Sequence, residues 1–258
     1  MDFMIAANSD VGIKKSTNQD SLLIKVAQTN LGKVCQCLVC DGMGGLAKGE
    51  LASATVIRAF ENWFEQVFPA MLTRGFRPED LKLQWDNLVL EQNQKLAAHA
   101  SHFGTRMGTT IVALLIINDY YYIMNVGDSR AYLLTDQIYQ LTKDQTFIQY
   151  EMDAGRMTPE EAKYHPQRNV LLQCIGASEV VSPEFYEGSV YPDSVFVVCS
   201  DGFRHIITPE EIYEQLNPSV LVNERVMLEH AVWLTELNKQ RREVDNISVA
   251  VIRTCREG

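Results

Sequence analysis

Basic residues are in short supply. The 258-residue chain carries 23 lysines and arginines against 33 aspartates and glutamates, a formal net charge of −10. A nucleic-acid-binding face needs the opposite balance, since clustered lysine and arginine supply its affinity for phosphate backbones. No nucleic-acid partner is expected. Surplus acid suits either plain solubility or carboxylates gathered around cations, and charge alone does not choose between them. Long apolar runs are also missing. The longest, Ile111–Ile117, has the length of a strand, whereas a helix across a bilayer needs about 20 apolar residues, so no membrane segment is expected. Residues 1–10 lack the basic lead-in and small-residue cleavage pattern of a secretion signal. Repeats, low-complexity tracts and Pro/Gly-rich linkers are absent, which makes one domain over 1–258 the expectation, and a monomer is expected.

The six cysteines form no finger-like spacing. Cys37-x-x-Cys40 has no second Cys/His pair to complete a zinc site, and 34–40 reads as a buried strand, so these cysteines are expected to be small core residues. Free thiols suit a reducing compartment, and the expected location is cytoplasmic.

Hydrophobic periodicity then organises the chain. Strands are expected at 21–27 and 32–40, a glycine-rich turn at 42–49, and a helix over 50–67 with apolar residues at helical spacing. Pro78 opens a second long helix running to about 101. Strands follow at 109–117, 120–126, 131–135 and near 137–141, with Asn118-Asp119 as a hairpin turn. The polar segment 146–176, interrupted by Gly155, Pro159 and Pro166, reads as a surface insertion of short helices. Strands at 180–188, 194–199 and 247–252 and helices at 209–216 and 221–238 complete the order. Helices come in blocks and not after every strand. The expected class is therefore α+β, with antiparallel sheets sandwiched by helices, and not a doubly wound parallel sheet.

Five aspartates stand at predicted strand ends or in glycine turns: Asp20, Asp41, Asp128, Asp201 and Asp245. Each alone could simply mark a turn. Together they would place short, rigid carboxylates at the rim of a sheet, where like charges are tolerated only beside a cation. Oxygen-only donors select Mg²⁺ or Mn²⁺ over zinc, and the glycine after Asp41 would let the Gly42 carbonyl join them.

The strings around these residues resemble the metal-dependent protein phosphatases, the protein phosphatase 2C family, and most nearly their bacterial single-domain branch. They are Ser16-Thr17-Asn18-Gln19-Asp20, Leu38-Val39-Cys40-Asp41-Gly42-Met43-Gly44-Gly45, Gly108-Thr109-Thr110, Asn125-Val126-Gly127-Asp128-Ser129-Arg130, Ser200-Asp201-Gly202 and Asp245-Asn246-Ile247-Ser248-Val249. They stand in the family's order and span nearly the whole chain. The resemblance implies a four-layer α-β-β-α sandwich with two central antiparallel sheets and a flap-like insertion at about 146–176. It also implies hydrolysis of phosphoserine and phosphothreonine in proteins by a metal-activated water, without a phosphoenzyme. Two Mn²⁺ or Mg²⁺ ions are implied, with a third, weaker one in bacterial members. By the resemblance Asp41 bridges both core metals, with the Gly42 carbonyl on one. Asp20 acts mainly through metal-bound water. Asp201 and Asp245 serve the other core metal, and Asp128 helps hold the third, sharing Asp201. The partners would be phosphorylated proteins, substrates of a Ser/Thr kinase of the same cell.

Two positions depart from the pattern. The arginine that usually grips the substrate phosphate is replaced by Lys15, with Lys14 beside it. Lysine keeps the charge and loses the bidentate fork, so weaker phosphate binding is expected; alternatively both lysines only decorate a surface turn. Position 43 is Met, as in bacterial members, where animal members carry a histidine. His165, in the insertion, is a candidate on the substrate side, whereas His99, His102, His205 and His230 are assigned no chemistry. The glycine turn fits no phosphate-binding loop, because Gly49 is followed by Glu50. The other open reading is a silent regulatory protein on the same fold, favoured only by Lys15.

Overall fold

A computed structural model describes residues 1–44 and 48–256. In chain order the elements are β1 (Asp2–Asp10), β2 (Asp20–Thr29), β3 (Gly32–Gly44), α1 (Lys48–Asn62), a π-helical turn (Trp63–Val67), α2 (Phe68–Arg74) and α3 (Pro78–His102). Next come β4 (Met107–Thr109), β5 (Ile111–Ile117), β6 (Tyr120–Val126), β7 (Arg130–Leu134), β8 (Ile138–Gln140), α4 (Phe147–Asp153) and α5 (Pro159–Tyr164). The chain continues with β9 (Glu184–Ser189), β10 (Val195–Cys199), α6 (Asp201–Arg204), α7 (Pro209–Leu216), α8 (Glu224–Gln240) and β11 (Ile247–Cys255).

One sheet has the order β1-β11-β10-β7-β8; the other runs β2-β3-β5-β6-β9, with β4 added beside β3. The pairings are antiparallel throughout. Strand alternation sends successive side chains to opposite faces, and three apolar layers result. Val34, Leu38 and Cys40 of β3 pack with Val56, Phe60, Trp63 and Trp85 under the α1 and α3 helices. Cys35, Cys37 and Val39 point the other way and meet Phe196, Val198, Ala250 and Ile252 of the facing sheet. Val197, Val249 and Val251 bury against Phe203, Leu216, Ala231 and Leu234 of α6–α8. The result is the expected four-layer α-β-β-α sandwich. Cys37 and Cys40, on opposite faces of one strand, cannot share a metal ion, and both are free, buried core thiols.

Several local elements differ from expectation. The continuous helix to residue 67 instead breaks into the π turn, where the Phe68 N–H donates to the Trp63 carbonyl. Pro69 explains this: its ring conflicts with the carbonyl four residues earlier and it has no N–H to donate. The wider turn sets Trp63, Phe64 and Phe68 together in the core, with Phe64 stacked on Phe68 at 5.3 Å. Residues 1–10, read only as a short apolar stretch, form β1, paired along its whole length with β11. The expected turn and helix 209–216 are as predicted, since Thr208 and Glu211 make a reciprocal capping box and Pro209 occupies the first turn. Gly45 of the glycine-rich turn lies outside the described residues. No helix among the described residues is long and apolar enough to cross a membrane.

Phe196 fills the space between the two sheets, its ring edge-on to Tyr121 at 5.4 Å. Phe196→Ala is expected to destabilise the protein by about 3–5 kcal/mol, read as a lower urea midpoint at unchanged denaturant slope.

Candidate metal centre

The sandwich brings strand ends from both sheets to one rim. Asp20, at the start of β2, lies directly opposite Asp41 of β3 in register. Asp201 begins α6 just after β10, Asp128 lies in the turn between β6 and β7, and Asp245 just precedes β11. Backbone and hydroxyl clips hold these positions. Asp41 N–H donates to Thr110 Oγ1 at 3.0 Å, and its carbonyl accepts from Thr109 Oγ1 and from Thr110 N, both at 2.9 Å. Ser200 Oγ donates to Asp20 Oδ2 at 2.9 Å across the two sheets. Asn246 ties the 11–19 loop down: its amide nitrogen donates to the carbonyls of Val11 (2.9 Å) and Thr17 (3.2 Å), and its Oδ1 accepts from Gln19 N at 2.9 Å.

Close backbone approaches require glycine at two rim positions. A Cβ at Gly42 would lie 2.1 Å from the Gly49 carbonyl oxygen and 2.5 Å from that of Gln19. One at Gly202 would lie 2.1 Å from the Asn246 oxygen. The Gly42 carbonyl in turn faces the bare Cα of Gly49, where a side chain would meet it at 2.6 Å.

Electrostatically the rim is under pressure. Burial pushes the Asp20 carboxyl up to about 7, with Asp201 and Asp245 adding repulsion against the opposing hydrogen bonds from Ser248 and Ser200. Burial also raises Asp41 well above the usual range, followed by the charges of Asp201 and Asp20, and Asp41 and Asp201 are close enough to share a hydrogen bond. Asp201 is raised by burial too, partly relieved by Arg204. Asp20 Oδ1 and Asp201 Oδ1 are buried without a protein partner. Buried carboxylate oxygens without donors, crowded against other carboxylates, are what a hard divalent cation satisfies. The donor set therefore fits such ions.

Of the predicted site residues, Asp20, Asp41, Asp201 and Asp245 converge. Lys15 joins them, its Nζ 2.9 Å from Asp245, both side chains more than a third exposed. Burial alone would lower the Lys15 ammonium's pKa, but the Asp245 hydrogen bond and the charges of Asp245, Asp41 and Asp201 raise it on balance. Asp128 is placed beside this group and is pushed up to about 7 by burial and then by Asp201, with Arg204 opposing. His165 caps α5, its ring packs on Phe147 at 5.7 Å, and its Nδ1 accepts from Gln167 N.

Sequence reasoning missed the neighbours of Asp128 and Asp201. Arg204 donates to the Asp128 carbonyl at 2.9 Å and its Oδ2 at 3.2 Å. His205 Nε2 lies 3.4 Å from Asp201 Oδ2, and its Nδ1 3.7 Å from Glu243 Oε2. The four-residue spacing from Asp201 to His205 could have signalled the second contact; nothing local announces the first.

The protein phosphatase 2C family matches residues 13–240. The chain belongs to this family. It is 34% identical over 250 residues to the serine/threonine protein phosphatase PstP of Mycobacterium tuberculosis, covering 95% of this chain and 44% of that protein. The chain thus spans less than half the length of that curated relative. The serine/threonine phosphatase Stp of Listeria innocua is 31% identical over 219 residues, 83% of this chain and 82% of that one. Among solved structures, a serine/threonine phosphatase of S. agalactiae superposes with a TM-score of 0.84 at 28% identity, covering 98% and 99% of the two chains. The PstP catalytic domain solved with two manganese ions does so at 0.77 and 32% identity, with the same coverage.

Metal-free stability should report the crowding. A carboxyl whose folded pKa is raised binds its proton more tightly when folded, so its favourable contribution is complete below about pH 4 and is lost as pH rises towards 7. Glu211, held down to about 2 from 4.5, builds its contribution as pH rises between those values, so it adds little change above about pH 5. In EDTA, thermal stability is expected to fall between pH 5 and 8. Asp41→Asn should be more stable than the parent at pH 7.5 by roughly 1 kcal/mol or more, while gaining less from added Mn²⁺. A lower melting temperature than the parent in EDTA would contradict this account.

Proposed function

We propose that this chain is a metal-dependent protein serine/threonine phosphatase that hydrolyses phosphoserine and phosphothreonine monoesters. The observation that carries the reading is the convergence of Asp20, Asp41, Asp201 and Asp245 from two sheets, with buried oxygens on Asp20 and Asp201 that have no protein donor. Asp20, Asp41, Asp201, Asp245 and the Gly42 carbonyl would hold two Mn²⁺ or Mg²⁺ ions. When bound, these ions supply positive charge to the phosphoryl oxygens and acidify the attacking water.

The chain's own residues do the placing. The Asn246 amide holds the 11–19 loop beside Asp245, and the Thr109 and Thr110 hydroxyls fix the backbone of Asp41. Lys15 stands at the open rim as a mobile positive charge for the incoming phosphate. An ammonium attracts phosphate without orienting it as a guanidinium fork does. No nucleophilic side chain is invoked, so the reaction passes through no phosphoenzyme. The reading extends to a single phosphatase domain over 1–258 with 146–176 as its flap-like segment. It places a monomer in the cytoplasm, acting on phosphoproteins made by a Ser/Thr kinase of the same cell.

With Mn²⁺, the purified protein should hydrolyse p-nitrophenyl phosphate and a phosphothreonine peptide, with activity lost in EDTA and restored by Mn²⁺. Asp41→Asn should lower kcat/KM by about 10³-fold or more, the equivalent of several kcal/mol of transition-state charge stabilisation. Inactivity of the Mn²⁺-loaded protein on both substrates would support the silent regulatory alternative.

A further inference from the structure

Beside the four core aspartates lies a second acidic corner, built from Asp128, Asp144, Asp201 and Glu243. Two arginines, Arg130 and Arg204, meet part of its charge. Arg130 grips Asp144 with both fork positions, Nε to Oδ1 and Nη2 to Oδ2, each at 2.7 Å. Asp144 stays below the usual carboxylate range although burial alone would raise it, because Arg204 and Arg130 outweigh burial. Arg204 is shared between Asp144 and Asp128. Its Nη2 donates to the Asp128 carbonyl and Oδ2, and also lies 3.3 Å from Asp144 Oδ2.

Ligand-type atoms of Asp128, Asp201 and His205 lie within 4.8 Å of one another. That spacing would suit an ion if the Asp128 carboxylate were free. It is not free. A guanidinium cannot lose its proton in a protein, and this one is largely buried, hydrogen-bonded to both the backbone and the carboxylate of Asp128. A divalent ion on Asp128 would face that fixed like charge in a poorly screening interior.

We infer that Arg204 is a built-in cation that takes the place of a third divalent ion at Asp128. The inference rests on the two-ion reading above and offers an alternative to the third-ion role that the family resemblance assigns to Asp128. Arg204 is a positioning residue: it fixes Asp128 and the turn between β6 and β7 beside Asp201.

The test counts Mn²⁺ per chain by equilibrium dialysis and elemental analysis, in the wild type, Asp128→Asn, Arg204→Gln and the double variant. The wild type and Asp128→Asn should bind the same number. Arg204→Gln should bind one ion more, with a further Mn²⁺-dependent rise in melting temperature, and the double variant should return to the wild-type count. If Arg204→Gln does not fold, the comparison of wild type with Asp128→Asn decides alone. Loss of one ion in Asp128→Asn overturns the inference, as does a folded Arg204→Gln that gains none. A wild-type count below two would sink the function proposed above, whereas the difference between variants bears on Arg204 alone.

Discussion

Repulsion among buried carboxylates is the constraint around which the rim is organised. Two unit charges about 4 Å apart interact by on the order of 4 kcal/mol at the effective dielectric of a protein near its surface. A hydrogen bond from a hydroxyl, such as Ser200 to Asp20, returns about 1 kcal/mol net. The local hydrogen bonds therefore cannot balance Asp20, Asp41 and Asp201 when all are ionised. Either protons or cations must, and Asp20, pushed up to about 7, sits near the boundary between the two at neutral pH.

A rim under such strain needs a rigid support, and the support is apolar. The layer between the sheets is closed by Phe196, Val198, Ala250 and Ile252 against Cys35, Cys37 and Val39. It fixes the separation of β10 and β11 from β3, and so the separation of Asp201 and Asp245 from Asp41. The polar clips then trim the geometry. Asn246 spends both ends of its amide on the 11–19 loop, and the glycines at 42 and 202 let backbones approach where a Cβ would collide. Packing sets the distances between strands, and hydrogen bonds set the aim of each carboxylate.

How much of this could be read from the chain follows from where the information lies. The layer architecture was legible because period-two and helical patterns, and the grouping of helices into blocks, are local signals. The rim aspartates were legible because each carries a glycine, asparagine or strand end beside it. The strand β1 was not, since residues 1–10 mix apolar and polar positions and owe their strand to β11, more than 230 residues away. The π turn hinged on Pro69, whose effect is felt four residues upstream of itself. His165 reads as a substrate-side candidate from its place in the polar insertion; in the fold its ring packs on Phe147. Arg204 was invisible: its partners Asp128 and Asp144 are distant in sequence and meet it only through the β7 and β10 pairing.

The two acidic corners of the rim answer the same electrostatic problem differently, and the difference follows from what each must face. Around Asp20, Asp41 and Asp245 the protein cation in contact is Lys15, partly in solvent, while Asp201 is relieved in part by Arg204. A charge that must reorganise around an incoming phosphate is better supplied by an exchangeable ion, with open positions, than by a fixed side chain. At Asp128 and Asp144 two partly buried arginines supply planar, permanent charge with directional bonds. Such a pair holds a turn in place but offers no open coordination position. Fixed charge therefore stands where a turn is held in place, and exchangeable charge is left to the corner whose buried carboxylate oxygens have no protein donor.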